Sequence, residues 1–241
     1  MLKQSLRFFL LSVSLVAGSF FAQTASGQIL ISLLLGDELN SGKIEFGVDG
    51  GFNRSWMSGN KDGGDPANSF TLGFYFDFKL NQQWYVNTGV HVKSQIKTRG
   101  HETYPVGNPE ADSLWKDGSI ERFIGYFYVP AHIKYRFRNN FYAMGGIQAG
   151  LKNSGFDNFY TSVTDKNDTR MKIDIRNEVT ALDFGFSGSV GYKFRKTGLG
   201  VGATWYQGLV DALKDDRDLK NRSLYLYVTI PVGAGYKSKS N

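Results

Sequence analysis

Three histidines are the side chains of this 241-residue chain best suited to acid–base or metal chemistry. His91 and His132 lie in segments that alternate polar and apolar residues, and His101 lies in a long polar stretch. No His-Glu-x-x-His or comparable spacing is present, so the sequence predicts no metal site. The chain has no Cys, which excludes zinc ribbons, thiol nucleophiles and disulfides together. We therefore interpret His91 and His132 as hydrogen-bonded interior residues.

Two glycine-containing segments approach known catalytic or cofactor motifs but stand in the wrong context. Gly185–Ser189 lacks the final Gly of a nucleophile elbow. Gly198–Ala203 matches Gly-x-Gly-x-x-Ala, but it leads from a tight turn into a strand and not into a helix, so a dinucleotide site is not expected. His91 and Ser94 are the remaining base and nucleophile candidates, for a lipid hydrolase embedded in a barrel, and alternation places them on opposite faces. The sequence predicts no catalytic residue, no cofactor and no enzyme.

Acidic residues gather in two polar stretches. Asp62 and Asp65 lie in the first stretch, and Asp215, Asp216 and Asp218 lie in the second. Their spacing fits no calcium-binding loop, so we expect solvated charges in external loops.

The elements that carry these residues are predicted by a period of two. From Asn68 to Leu80, every even position from Phe70 onwards is Phe or Leu, whereas a helix would place apolar residues three and four apart. The same alternation predicts eight strands in all: residues 44–53, 68–80, 84–93, 123–137, 141–151, 182–194, 199–206 and 224–236.

The connections between these strands alternate strictly in length. Three are tight, at Asn81–Gln83, Arg138–Asn140 and Arg195–Gly198, and four are long, at about 56–68, 98–121, 153–178 and 211–222. Short periplasmic turns and long external loops are typical of outer-membrane barrels. The sequence therefore predicts an all-β fold, an eight-stranded antiparallel up-and-down transmembrane β-barrel.

A soluble barrel of the lipocalin kind is the alternative, with its apolar face turned inward. The polar face of these strands is rich in Gly, Ser, Thr and Tyr and has few charges, which suits a crowded lumen better than a solvated wall. Aromatic residues also end the apolar face beside the short turns, as in an interfacial girdle. These residues are Phe78, Trp84, Phe137, Phe141, Tyr192, Phe194 and Tyr236. Both features favour the membrane barrel.

Several charged residues occupy the alternate strand positions that are predicted to face the lumen. They are Glu45, Asp49, Asp77, Asp183, Lys79, Lys93, Lys97, Lys134, Arg136 and Lys193. Isolated charges in a narrow barrel are costly, so they should pair with each other and with lumen Tyr residues. We predict a plugged interior with Lys134 and Asp183 in the network, and no permanent pore.

The chain ends are expected to lie outside the barrel of residues 44–236. Lys3 and Arg7, an apolar run from Phe8 to Ala22 and small residues before Gln28 predict a signal peptide over 1–27, with a membrane anchor as the alternative. Its removal lowers the formal net charge from +6 to +4, which is too small to suggest nucleic acid. Residues 28–43 form an extension whose apolar part, 29–35, is either a short helix or a mobile segment, and 237–241 form a tail.

Three strands resemble those of the PorT-like outer-membrane barrels. Tyr126–Phe137 is similar to that family's Y-x-x-I-P-x-x-x-K-Y-x-F strand, and Asp183–Phe194 to its D-x-G-x-x-x-G-x-G-x-x-F strand. Gly198–Leu209 resembles the next strand, and Asn221–Ser223 lies where the last one opens. The chain departs from the pattern by continuing five residues past Tyr236 and by adding residues 28–43. The resemblance implies an integral outer-membrane barrel, and the founding member is associated with secretion of surface proteins.

We therefore expect a bacterial outer-membrane protein without enzymatic activity. Its function would be carried either by the external loops or by a protein partner. The expected partners are outer-membrane lipid and a secretion-apparatus or surface protein, and we expect a monomer. Membership of a secretion apparatus and a barrel-embedded lipid hydrolase are the two alternatives.

Overall fold

A computed structural model describes residues 42–59, 63–164, 167–215 and 218–232. The predicted signal peptide (1–27), nearly all of the predicted extension (28–43) and the predicted tail (237–241) lie outside these residues, as do Asp62, Asp216 and Tyr236. Within the described ranges, no helix combines the length and apolar character needed to cross a membrane.

The described chain contains nine strands and one helix. The strands are β1 (Ile44–Ser58), β2 (Asp65–Lys79), β3 (Trp84–His101), β4 (Ser119–Arg136), β5 (Phe141–Thr164), β6 (Asn167–Asp174), β7 (Leu182–Lys193), β8 (Gly200–Asp211) and β9 (Lys220–Pro231). Helix α1 (Pro109–Trp115) lies between β3 and β4. All strand pairs are antiparallel, and the tight turns follow β2, β4 and β7 as predicted.

Eight of the strands close into a ring. Each pairs with the next along the chain, except that β5 pairs with β7, and β1 pairs with β9 from Gly47↔Pro231 to Ser58↔Lys220. Strand β6 is outside the ring and pairs with the far half of β5, from Phe156↔Asp174 to Thr164↔Asn167. The predicted eight-stranded antiparallel barrel is confirmed.

The apolar face of the wall points outward. Large side chains such as Phe52, Phe186 and Leu226 are more than half exposed, while the Tyr, Asn and Asp residues between them on the strands are buried inside the ring. A folded wall that exposes a continuous apolar face needs a hydrocarbon surrounding, because water would penalise that area. The soluble-barrel alternative, with its apolar residues inside, is therefore excluded.

The predicted aromatic ring lies beside the short turns on this outer face. Trp84 contacts Tyr135 with ring centroids 4.8 Å apart, and Tyr192 contacts Phe141 and Phe194, each at 5.1 Å. The described members of the predicted girdle that are exposed are Phe78, Trp84, Phe137, Phe141 and Phe194. Aromatic residues in such a band, with the amphipathic Trp84, Tyr135 and Tyr192 among them, are typical of a membrane–water interface.

A β-bulge in β3 changes which residues face the lumen. The β3–β4 register shifts between His91 and Ser94, so odd-numbered residues face inward below the bulge and even-numbered residues above it. Simple alternation cannot anticipate one inserted residue, which moves every later side chain to the opposite face. The bulge turns Lys93 outward and Ser94 inward.

The strands extend well beyond the predicted ends on the long-loop side. The predicted connections 98–121 and 153–178 contain the upper ends of β3, β4 and β5, all of β6, and α1. We call the part of β3–β6 above the bulge the extracellular sheet: residues 94–101, 119–125, 153–164 and 167–174. The predicted strands were too short there, because cross-strand pairing continues beyond the apolar band.

The β1–β9 seam supplies a test of closure. A Cβ at Gly51 would lie 1.9 Å from the carbonyl oxygen of Leu226, whereas a Cβ at Gly50 would meet the end of the Leu72 side chain at 3.3 Å. Gly51→Ala should destabilise the barrel by roughly 1–3 kcal/mol, since backbone must move, and Gly50→Ala should be tolerated. The measurement is the temperature at which the fast-migrating folded band disappears from a detergent gel. Equal temperatures for both variants would contradict the seam as described.

Candidate functional site

Asp77 is the centre of the densest charge cluster in the lumen. The residue is 1% exposed; Lys134 Nζ donates to its Oδ2 at 2.6 Å and Asn87 Nδ2 donates to its Oδ1 at 2.8 Å. Arg136 Nη2 lies 3.9 Å from Oδ2, and Lys134 Nζ also lies 4.4 Å from the centre of the Tyr142 ring. A carboxylate this deeply buried needs paired charge and hydrogen bonds. The predicted participation of Lys134 is confirmed.

A second ion pair lies at the lumen end nearest the short turns. Lys193 Nζ donates to Glu45 Oε2, and Tyr75 Oη donates to Glu45 Oε1 at 3.0 Å. Both charged residues belong to the predicted lumen set. This pair joins β1 to β7 across the periplasmic end of the lumen.

His132 forms a contact that the sequence did not suggest. Its Nε2 lies 2.6 Å from Ser187 Oγ, and its Nδ1 lies 3.4 Å from Asn87 Oδ1. This arrangement, a hydroxyl beside an imidazole that is oriented by a third group, resembles that of an activated serine nucleophile. Alternation predicts that Ser187 and His132 both face inward, but the two are 55 positions apart, and only the curvature of the closed ring brings them together.

His91 and Ser94 are arranged differently from the prediction. Both face the lumen because of the bulge, and the described structure shows no hydrogen bond between them. His91 Nε2 instead lies 3.3 Å from Asp49 Oδ2, which also accepts a hydrogen bond from Tyr225 Oη at 2.9 Å. His101 lies outside the lumen, with Nε2 2.7 Å from Thr98 Oγ1.

Three of the predicted lumen charges do not join the network. Lys93 is exposed on the outer face, and Lys97 pairs with Glu121 outside the ring at 2.9 Å, both because of the bulge. Lys79 keeps the predicted parity but is exposed at the end of β2, where the lumen meets water. The alternation of the sequence therefore predicted the wrong face for Lys93 and Lys97, which lie at and above the bulge.

An apolar cluster closes the other end of the lumen. Asp183 accepts hydrogen bonds from Tyr128 Oη at 2.5 Å and from Asn221 Nδ2 at 3.0 Å, which confirms its predicted place in the network. Above it lie buried apolar side chains that we call the apolar cap: Met57, Ile96, Ile124, Ile175, Val179, Ala212, Leu213 and Leu219. This cap separates the polar interior from the extracellular side.

The connection between β3 and β4 folds over the inner face of the extracellular sheet. Arg122 forms two hydrogen bonds to Asp157, at 2.9 and 2.8 Å, and Tyr104 Oη donates to the same carboxylate at 3.2 Å. Burial and the Asp157 charge raise the pKa of the Tyr104 phenol well above its usual range. Tyr104 and Trp115 also contact the ring of Phe159, at 5.1 and 6.0 Å. These contacts fix α1 against the sheet.

The remaining space in the lumen is small. The cavity beside Asp49, His91 and His132 measures about 40 Å³, and the next, beside Ser94, about 20 Å³. Since one water needs at least about 10–15 Å³ measured in this way, each cavity holds only a few waters. Within the described residues, no three His, Asp or Glu side chains are grouped as metal ligands.

Comparison with known proteins gives a family match. The model of a family described as "Outer membrane protein beta-barrel domain" matches residues 21–214. No curated protein sequence matches this chain significantly.

Several solved barrels are similar in structure. The attachment invasion locus protein Ail of Yersinia pestis is 15% identical, with 78% of this chain and 97% of that chain covered and a TM-score of 0.42. Neisserial surface protein A is 10% identical, covering 77% and 96%, at 0.36. OprG of Pseudomonas aeruginosa is 11% identical, covering 78% and 92%, at 0.31.

The Asp77–Lys134 pair generates a stability prediction. Asp77→Asn leaves the ammonium of Lys134 buried without a charged partner, and should lower the free energy of unfolding by about 3–5 kcal/mol. Adding Lys134→Gln should recover part of that loss, because both charges are then gone. Guanidinium unfolding in detergent micelles measures Asp77→Asn, Lys134→Gln and the double variant. The control is exposed Lys79→Gln, which is expected to lie within about 0.5 kcal/mol of the parent. A double variant that loses the sum of the two single effects would refute the pairing.

The filled lumen generates a second prediction. The purified protein in planar bilayers should show no stable ion conductance, because paired charges and the apolar cap obstruct the axis. Steady single-channel currents from the folded protein would contradict this account.

Proposed function

Because this chain belongs to the outer membrane protein beta-barrel domain family, we propose that it acts without enzymatic activity, through its extracellular sheet and a protein partner. It is an integral β-barrel of the bacterial outer membrane, surrounded by lipid. The barrel serves as a rigid base that holds the extracellular sheet and α1 at the cell surface.

The filled lumen is the observation that carries this proposal. Ion pairs occupy the interior, the apolar cap closes its outer end, and the cavity beside His132 has a volume of about 40 Å³. No solute of metabolite size fits in such a space. Any binding of another molecule must therefore take place outside the barrel.

The contact between His132 and Ser187 does not favour a hydrolase. Ser187 is 5% exposed and His132 is 4% exposed, so a lipid ester could reach neither. An acyl-transfer site also needs room for the substrate beside the nucleophile. The hydrogen bonds of His132 to Ser187 and Asn87 are better explained as part of the lumen network.

A protein partner is supported by the form of the extracellular part. Leu114 on α1 is 45% exposed, an apolar side chain presented to the medium. In the described chain β6 pairs only with β5, which leaves its other edge available to a further strand. The resemblance of β4 and β7 to PorT-like strands supports a partner from a secretion apparatus or a surface protein.

Site-specific photo-crosslinking tests this function. A benzoylphenylalanine at Leu114 should crosslink one defined surface or secretion protein in cells, whereas the same group at lipid-facing Leu226 should not. Mass spectrometry of the adduct identifies the partner. An identical adduct pattern at both positions, or hydrolysis of phospholipid that is lost in Ser187→Ala, would overturn the proposal.

A further inference from the structure

The outward face of the extracellular sheet forms a groove of about 820 Å³. Strands β3 to β6 line it together with the first residue of β2, and the side chains that matter here are Lys97, Glu121, Phe123, Phe156, Tyr160 and Arg170. We call it the outer groove. It lies on the face opposite to the Arg122–Asp157 pair and opens sideways, away from the barrel axis.

Aromatic rings in the outer groove hold cations in place. The Phe123 and Phe156 rings are stacked with centroids 4.8 Å apart. Lys97 Nζ lies 4.7 Å from the centre of the Phe123 ring, and Lys172 Nζ lies 3.8 Å from that of Phe156. The guanidinium of Arg170 lies in the same way over the Tyr160 ring, at 4.8 Å. Such contacts orient a cation while leaving its N–H groups free for an anion.

The charges in the outer groove are not balanced. Lys97 is paired with Glu121 at 2.9 Å, and Tyr160 Oη donates to the same carboxylate at 3.2 Å. Arg170 and Lys172 form no ion pair with a carboxylate of the described residues. Arg99 and Asp65 also line the groove, opposite each other in the β2–β3 register, so their charges offset one another. Arg170 and Lys172 remain as two cations in excess, beside hydroxyl and carboxylate groups that can bind the hydroxyls of a sugar.

The outer groove is continuous with the lipid-facing wall. Phe127 and Val129 lie below Phe123 on the same face of β4 and are 43% and 48% exposed. The hydrocarbon band of such a barrel is about 25 Å tall. A strand tilted by about 40° rises about 25 Å over about ten residues. If the band begins at Tyr135 on β4, it therefore ends near Gly125. The groove therefore begins close to the bilayer surface and extends to Ser119, about 15 Å above the end of the hydrocarbon band.

This height distinguishes between kinds of lipid. Phospholipid headgroups extend only about 5–8 Å beyond the hydrocarbon, so they would reach the lower half of the groove only. A headgroup made of several sugars would fill it, and phosphate on those sugars would bind to oriented Arg and Lys side chains.

We propose that the outer groove binds the phosphorylated saccharide headgroup of a glycolipid in the surrounding outer leaflet. Arg170 and Lys172 bind phosphate, and Tyr160 and Glu121 bind sugar hydroxyls. The occupant is a lipid of the membrane and not a glycan from the medium, because the lower end of the groove is continuous with the lipid-facing wall at Phe127.

The experiment measures retained glycolipid in reconstituted barrels. Wild-type protein in phosphatidylcholine nanodiscs that contain lipopolysaccharide is transferred to neutral detergent, washed, and weighed by native mass spectrometry. We expect about one lipopolysaccharide per barrel. Arg170→Gln/Lys172→Gln should retain at least roughly tenfold less, since each charge-assisted hydrogen bond lost costs more than about 1.4 kcal/mol. The control Lys79→Gln/Lys196→Gln, which removes two exposed charges at the periplasmic end, should retain the wild-type amount.

Two further measurements test whether phosphate is required and whether the ligand must be a membrane lipid. Dephosphorylated lipopolysaccharide should be lost from wild type as readily as native lipopolysaccharide is lost from the Arg170/Lys172 variant. Soluble core oligosaccharide phosphate should bind far more weakly than the intact lipid. Equal retention by both double variants, each migrating as a folded barrel on a detergent gel, would overturn the proposal, and so would equally tight binding of the soluble oligosaccharide.

Discussion

Backbone pairing in hydrocarbon is the constraint on which this structure depends. An unpaired N–H or C=O in the bilayer core costs several kcal/mol, so a sheet can cross only if its edges meet. The β1–β9 ladder from Gly47↔Pro231 to Ser58↔Lys220 supplies that closure. Gly51 has a specific role there, because only a residue without Cβ lets the Leu226 carbonyl approach so closely. Closure at eight strands then fixes a narrow lumen that only side chains can fill.

The narrow lumen accounts for the chemistry inside it. Charges enclosed by the wall cannot be solvated by bulk water, so Asp77, Glu45 and Asp183 are bound by Lys134, Lys193 and Tyr128 respectively. This network fills most of the lumen and leaves cavities of about 40 and 20 Å³ beside it. The extracellular sheet is under no such constraint, and there the chain places a separate apolar core around Phe159 and a groove rich in cations. The interior is thus filled by paired charges, whereas the outer face of the extracellular sheet carries an open groove.

Much of this architecture could be predicted from alternation alone, and the exceptions have definite physical causes. The period of two predicted the eight ring strands, the outward apolar face and the inward position of Lys134 and Asp183. It was wrong for Lys93 and Lys97, because a single bulge after His91 reverses the faces of β3. It missed β6 and α1, whose stability comes from pairing with β5 and from packing on Phe159. It could not find the contact between His132 and Ser187 or the outer groove, since both depend on which strands become neighbours.

The direct test of the central claim asks which medium touches the outer face of the wall. Trp205 lies on that face and is 45% exposed, whereas Trp115 is 4% exposed within the extracellular part. Two single-Trp variants, each with the other three tryptophans replaced by Phe, can be reconstituted in lipids brominated on the acyl chains. We predict strong quenching of the Trp205 fluorescence and little quenching of Trp115. Equal quenching of both, or quenching of Trp115 alone, would contradict the lipid-facing assignment.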